Sequence, residues 1–470
     1  MHPRFSALLL AGLLTGIGGI AGILGMTGSA AAAPAPSSQD IFPYPIHEST
    51  LGNGLRVVVI PYDSPGTVAY FVVVRTGSRN EVEAGHSGFA HFFEHMMFRG
   101  TDKYSSVAYN DLLKRMGADS NAFTTDDYTN FYMIGPASAL PTMMDMESDR
   151  FKNLKYTEDA FKTESLAVLG EYNKGASNPG QPMEEKLRDL AFQKHTYKHT
   201  TIGFIADVKA MPGYYEYSRQ FFDRFYRPEN VVLLVVGDVQ PDKVDALAKQ
   251  YYGDWKKGYK PVEIATEPPQ TKKQEAHIDW PTPGRPQMLV GYHTPAFSTA
   301  SVDTAALELL GQLLFSESAP LYQDLVVQKQ WVDAMDGGNE DHRDPYLFGI
   351  YAQVKSPDLV PKVQQTIDQY LAQLQKEPVD AQRLERIKQH LRYSFALSLD
   401  NPGAIAFRAA RAIALSGDVR SLNAIYAQYQ KVTPADVQRV ARQTFRPENE
   451  TVVTLSHPGS AQPAAAPGRR

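Results

Sequence analysis

Residues 86–100 read HSGFAHFFEHMMFRG, an apolar run that carries three histidines and a glutamate. His91, Glu94 and His95 stand at i, i+3 and i+4, so a helix through this stretch gathers them on one face. Two imidazoles one turn apart are a good pair of zinc ligands, and a carboxylate beside them can take a proton from a bound water. As plain core or surface residues they are hard to explain, because a packing face rarely accepts two imidazoles and a carboxylate without a partner.

Catalytic zinc usually takes three protein ligands and a water, so a third ligand must come from elsewhere in the chain. The stretch FKTESLAVLGEYNKG (161–175) reads as a helix and offers Glu164 and Glu171. Their spacing is about two helical turns, so both carboxylates point the same way across an apolar interval. Spacing alone does not choose between them, and glutamates on helices also make ordinary solvated faces.

Outward from this core, LRVVVI (55–60), TVAYFVVVRTG (67–77) and VVLLVVGD (231–238) read as strands. SSVAYNDLLKRMG (105–117) reads as a helix closed by Gly117, and a helix is expected over 157–174, followed by a less regular segment rich in Lys, His and Gly. The chain then repeats itself. Arg227-Pro228-Glu229-Asn230 precedes one buried strand and Arg446-Pro447-Glu448-Asn449 precedes another, which fixes an offset from position 227 to position 446. The same offset brings MLVGYHT (288–294) near YFVVVRT (70–76) and the helix DTAALELLGQLL (303–314) near the helix bearing the histidines. Three coincidences in order predict tandem α+β domains, 45–260 and 274–457, with an exposed connection in the Pro-rich stretch 259–273. In this register Leu310 and Leu314 stand where His91 and His95 do, so the second half looks catalytically blank.

The residues carry a family resemblance. His91-Phe92-Phe93-Glu94-His95, with Gly88-Phe89-Ala90 before it and Phe98-Arg99-Gly100-Thr101 after it, resembles the inverted HxxEH motif of the pitrilysin-type zinc metallopeptidases. It is most similar to their short, two-domain group that includes the mitochondrial processing peptidase. Further matches lie in Asn121-Ala122-Phe123-Thr124, Asp127, Thr129 and Tyr132, in Arg227-Pro228-Asn230, and in Pro286-Gln287-Leu289-Gly291-Tyr292. Together they extend the resemblance over residues 45 to 457.

The resemblance implies two tandem α/β-sandwich domains with antiparallel-rich sheets and helices packed on one face. It implies zinc held by His91, His95 and Glu171, since the family's third ligand follows the second histidine at the interval that leads from position 95 to position 171. Glu94 becomes the general base and Glu164 the accessory glutamate that supports the metal shell. Peptides are expected to lie extended along an edge strand at Asn121, Ala122 and Phe123; the alternating NAFTTDDYTNFY suits a strand, and a strand edge offers unpaired backbone groups.

One part of the family pattern is absent. The family draws an arginine and a tyrosine, seven apart, from its second domain, and the corresponding stretch here, LYQDLVVQKQWVDAM (321–335), places Val326 and Asp333 at those positions. Neither side chain donates as required. Tyr322 and Lys329 lie nearby, but neither falls at the position of either role, and they read as ordinary helix positions. Three arrangements follow: a metal-bearing subunit completed by a related chain that supplies the Arg/Tyr pair, a self-sufficient monomer or homodimer, and a scaffold subunit with an idle site. Intact ligands and base favour the first two.

The bulk composition fits this reading. With 470 residues, 43% hydrophobic, 21% charged and a formal charge of −5, the chain is too long for one core and offers no basic tract for a nucleic acid. His2 and Arg4 precede LLLAGLLTGIGGIAGILGM (8–26) and then GSAAAAPAPSSQD (28–40), the pattern of a secretory signal peptide over 1–34, with membrane attachment only if the leader is uncleaved. The chain has no cysteine, which excludes disulfides and a cysteine-linked lipid, so packing or metal must stabilise an exported protein. A bacterial periplasm is the expected compartment, and 458–470 is expected to be a flexible tail.

Overall fold

The computed structural model describes residues 40–458, so the leader and residues 459–470 of the tail lie outside the described residues. The first half builds a six-stranded sheet from β1 (His47–Thr50), β2 (Arg56–Pro61), β3 (Thr67–Val74), β4 (Asp119–Thr124), β5 (Thr129–Pro136) and β6 (Val231–Gly237). Their spatial order is β1-β2-β6-β3-β5-β4. Only β2 and β6 run parallel; the other neighbours are antiparallel.

The second half repeats the plan with β7 (Gln274–Asp279), β8 (Gln287–Thr294), β9 (Val332–Asn339), β10 (Tyr346–Val354) and β11 (Glu450–Ser456), in the order β7-β11-β8-β10-β9. The parallel pair, β7 with β11, again sits at the same place. Apart from β1, the two sheets correspond strand for strand, and β6 and β11 start at positions 231 and 450, the offset that the repeated Arg-Pro-Glu-Asn segments require.

Each sheet carries its own helices on one face and a borrowed helix on the other. Strand β3, TVAYFVVV, shows why: Val68, Tyr70, Val72 and Val74 join the core of the first half, whereas Ala69, Phe71 and Val73 join a second cluster. A strand buried on both faces needs this unbroken apolar run. The second cluster is supplied by the helix Pro402–Ser416 of the other half, through Ile405, Ala406, Ala409, Ala410 and Ile413. In return the helix Gly180–Ala191 of the first half packs Met183, Leu187 and Ala191 against Leu289, Leu347, Val453 and Leu455 of the second sheet. The two lending helices are themselves repeat partners, since they start at positions 180 and 402, close to the offset of the strands.

The hairpin loops after β4 and β9 meet at the seam. Asp126 accepts hydrogen bonds from Arg188 (2.8 Å) and His342 (3.2 Å), and Asp127 accepts from the Tyr197 hydroxyl (2.7 Å) and the Arg343 backbone N–H (3.1 Å). Burial alone would push the Asp126 carboxyl up, but Arg188 and His342 hold it well below the ordinary carboxylate range. The connecting segment is largely exposed, yet Glu267 pins it by accepting the backbone N–H groups of Gln193, Lys194 and His195.

Candidate metal centre

Helix α1 (Phe89–Met96) starts at Gly88, whose φ of 93° lies in the left-handed region and where a Cβ would meet the Ile202 carbonyl oxygen at 2.5 Å. The buried Glu81 carboxylate takes the N–H groups of Gly88 and Ala90, both at 2.7 Å, which satisfies orphan donors at the helix start. Phe89, Phe92, Phe93 and Met96 bury the packing face. His91, Glu94 and His95 are left on a half-open face.

Helix α2 (Glu158–Ala176), capped by the Thr157 hydroxyl on the Ala160 N–H, crosses this face and delivers both candidate glutamates. They take different places. Glu171 brings Oε2 to 3.3 Å from His95 Nε2 and 3.7 Å from His91 Nε2, and one donor atom from each of the three residues lies within 4.8 Å of the others. Glu164 is buried behind them: it accepts from His95 Nδ1 at 3.0 Å and from the Arg99 guanidinium. The geometry thus separates two residues that spacing alone left equivalent.

Electrostatics sharpen the separation. Burial pulls His91 down to about 4, so its imidazole stands neutral, with Nδ1 buried and without a partner among the described residues and Nε2 turned to Glu171. Hydrogen bonds to Glu164 and Glu171 push His95 up to about 9 in the metal-free protein. Glu164 feels burial first, which raises it, but His95 and Arg99 bring it below its ordinary value; Glu171 is lowered chiefly by its hydrogen bond with His95. A divalent cation among the Nε2 atoms and Glu171 would take the place of the His95 proton, and two imidazoles plus one carboxylate are a donor set that suits zinc.

Glu94 stands outside this trio. Its Oε2 accepts the Thr124 hydroxyl at 2.7 Å, which ties the carboxylate to the end of β4. Burial raises its pKa. Thr124 and Arg99 are residues whose spacing announces nothing: each acts through a contact to a residue 30 or 65 positions away, and only folding reveals it.

Strand β4 is the outer strand of the first sheet and packs beside α1. Asn121 is exposed, its Oδ1 accepting the Ala122 N–H at 2.9 Å, and Ala122 is buried. The Phe123 ring packs on Tyr128 and on Phe407 of the borrowed helix, so this residue offers a peptide its backbone rather than its side chain.

In the second half the equivalent helix α3 (Asp303–Phe315) buries Leu310, Leu313 and Leu314 at 0–3% exposure, where the first half has His91, Glu94 and His95. Val326 packs against that core, and Asp333 lies at the start of β9, paired with Arg285 at 3.0 Å. Tyr322 closes the short turn Pro320–Tyr322, and Lys329 is paired with Asp324 at 2.6 Å. None of these side chains reproduces an arginine and tyrosine seven apart.

A fold of two related α+β halves, one of them carrying a His-His-Glu donor set with a further carboxylate beside it, is of the metallopeptidase type. The chain belongs to the M16 peptidase family, the pitrilysin-type group related to the mitochondrial processing peptidase. The family model "Insulinase (Peptidase family M16)" matches residues 57–203, and "Peptidase M16 inactive domain" matches 215–391, beginning ahead of β6 of the first sheet. Zinc protease PqqE of Helicobacter pylori is 28% identical over 425 residues, spanning 87% of this chain and 93% of that protein. A probable mitochondrial-processing peptidase subunit beta of Schizosaccharomyces pombe is 25% identical over 408 residues, 84% of this chain and 87% of that one. Among solved structures, a protease from Helicobacter pylori matches with a TM-score of 0.82 at 28% identity, covering 88% of this chain and 99% of that one. The periplasmic protease PqqL of Escherichia coli shares the fold at a TM-score of 0.73 and 18% identity; 93% of this chain matches 50% of that longer chain.

Proposed function

We propose that the chain is a zinc-dependent endopeptidase of short or unfolded peptides, with its centre in the domain 45–260 and a non-metal-binding domain at 274–457. The observation that carries this reading is the convergence of His91, His95 and Glu171 from two helices while Glu94, on the same face, is held by a different element. When bound, zinc supplies Lewis-acid polarisation of water and of the scissile carbonyl. Glu94 accepts the proton of the attacking water and returns it to the leaving nitrogen. Glu164 fixes His95 through Nδ1 and keeps Nε2 aimed at the ligand cluster, and Arg99 in turn holds Glu164. The outer edge of β4 receives the peptide as an added strand, with Asn121, Ala122 and Phe123 beside the scissile bond.

The working enzyme is a two-chain assembly in which a related chain supplies the arginine and tyrosine missing at Val326 and Asp333. Two facts support a partner of the same fold: relatives are named as subunits, and this fold fills half of a longer chain. Losing an oxyanion donor typically costs about 2.7–4 kcal/mol, or two to three powers of ten in rate. Mature protein in the periplasm, released from its leader, is the form in which this enzyme acts.

The test titrates zinc-loaded chain with the candidate partner while following fluorogenic-peptide turnover and particle size. Turnover should climb steeply with heterodimer while zinc content stays constant. Full turnover by a homogeneous monomer or homodimer would discard the partner and leave the peptidase; no hydrolysis under any pairing would discard both.

A further inference from the structure

We infer that the seam between the halves holds a second ligand site, one that takes a small oxyanion of the phosphate class. Four arginines gather there: Arg56, Arg75, Arg79 and Arg343. The outer two are provided for. Arg56 pairs with Glu48 at 3.4 Å and donates to the Gly417 carbonyl at 2.7 Å, while Arg79 pairs with Asp344 at 2.5 Å and reaches Asp127 at 3.9 Å.

The inner two are not. Among the described residues neither the Arg75 nor the Arg343 guanidinium has a carboxylate within 4.0 Å; Arg343 meets the Asp127 carboxylate only through its backbone N–H, and its guanidinium donates only to the Arg75 carbonyl, at 3.4 Å. The Arg75 Nε is buried without a partner among the described residues. Both are drawn below the ordinary arginine value, Arg75 to about 10, first by burial and then by neighbouring arginines. Half-buried guanidinium groups with no carboxylate in ion-pair reach are unfavourable, so the fold has reason to recruit a counterion.

A cavity of about 340 Å³ opens beside Arg343. Its walls come from three parts of the chain: Arg79 and His195 of the first half, Tyr259 and Glu267 of the connection, and Arg343 and Asp344 of the second half. The two carboxylates in this wall are already engaged. Glu267 accepts three backbone N–H groups, and Asp344 accepts from Arg79 and from His195 at 2.9 Å. What remains unmatched is guanidinium, whose planar fork suits a phosphate or sulfate oxygen pair. An anion there would join Arg343 to the first half and stabilise the seam, whatever reaction the metal centre performs.

The experiment titrates full-length mature protein with sodium phosphate by calorimetry, against sodium chloride at matched ionic strength, both zinc-loaded and after chelation. One phosphate should bind per chain in both forms, and at about ten times the Kd it should raise the melting temperature by roughly 1–2 °C. Arg343→Met should abolish binding yet melt in chloride no lower than the parent, because it removes a half-buried charge that has no ion-pair partner. Absence of phosphate binding, binding that disappears on chelation, or unchanged binding in Arg343→Met would each overturn the assignment. Should Arg343→Met fail to fold, Arg343→Gln, which keeps a polar side chain in the cavity wall, carries the test: affinity at least tenfold weaker supports the site, and unchanged affinity overturns it.

Discussion

Helices α1 and α3 occupy equivalent places in two sheets of equivalent topology, and they solve different problems. In α3 the positions corresponding to 91, 94 and 95 are leucines sunk in the second core. In α1 the same positions carry two imidazoles and a carboxylate facing α2, while Phe89, Phe92, Phe93 and Met96 do the packing. The fold therefore accepts leucine at these positions, so packing does not demand the polar residues of α1. A site that stability does not require, yet which is held by Glu164, Arg99 and Thr124, is what a reaction centre looks like in physical terms.

The contrast can be broken from either side. The largest effect is expected from Glu171→Gln, which should lower zinc well below one per chain and turnover at least about a hundredfold, checked by metal analysis and peptide assay. On the blank side, Leu314→Ala should cost about 2–5 kcal/mol in denaturant unfolding and leave zinc content unchanged. Glu164→Gln should weaken zinc about 10–100-fold in a chelator competition without displacing Glu171, since it removes only the support behind His95. His91→Leu gives the first half the residue the second half has at 310; it should abolish zinc binding and raise the stability of the metal-free protein by about 1–3 kcal/mol, because it removes the buried, unpartnered Nδ1. The smallest effect is a proton count. His95 in the metal-free protein is pushed up to about 9, above its unfolded value, so its proton stabilises the fold fully below about pH 6.5 and this contribution fades as pH rises through 9. Zinc must displace that proton, so calorimetry in two buffers at pH 7.5 should detect release of about one proton or more on binding; no release would deny His95 a place among the ligands.

Much of this contrast is readable in the sequence because its signals are local or repeated. The i, i+3, i+4 spacing of His91, Glu94 and His95 gives a helix face, and Gly117, with φ of 66°, ends the helix Ser106–Met116 as its position predicts. The Arg-Pro-Glu-Asn pair sets β6 and β11 in register. What is hidden depends on distance. The stretch after residue 175 reads as irregular but contains the helix Gly180–Ala191, whose apolar face makes sense only against the other half's sheet. The reciprocal loan of Pro402–Ser416 is equally silent, since an alanine-rich helix does not say which sheet it covers. The choice between Glu164 and Glu171 is another such case, decided by packing depth behind His95.

The most direct measurement compares zinc content and peptide turnover in the parent chain and in Glu94→Gln, each assayed alone and with the proposed partner chain. Glu94 shares the histidine face without completing the donor trio, so the variant should keep about one zinc per chain and lose turnover by roughly two to four powers of ten. A Glu94→Gln protein that retains zinc and hydrolyses peptide near the parental rate would contradict the account.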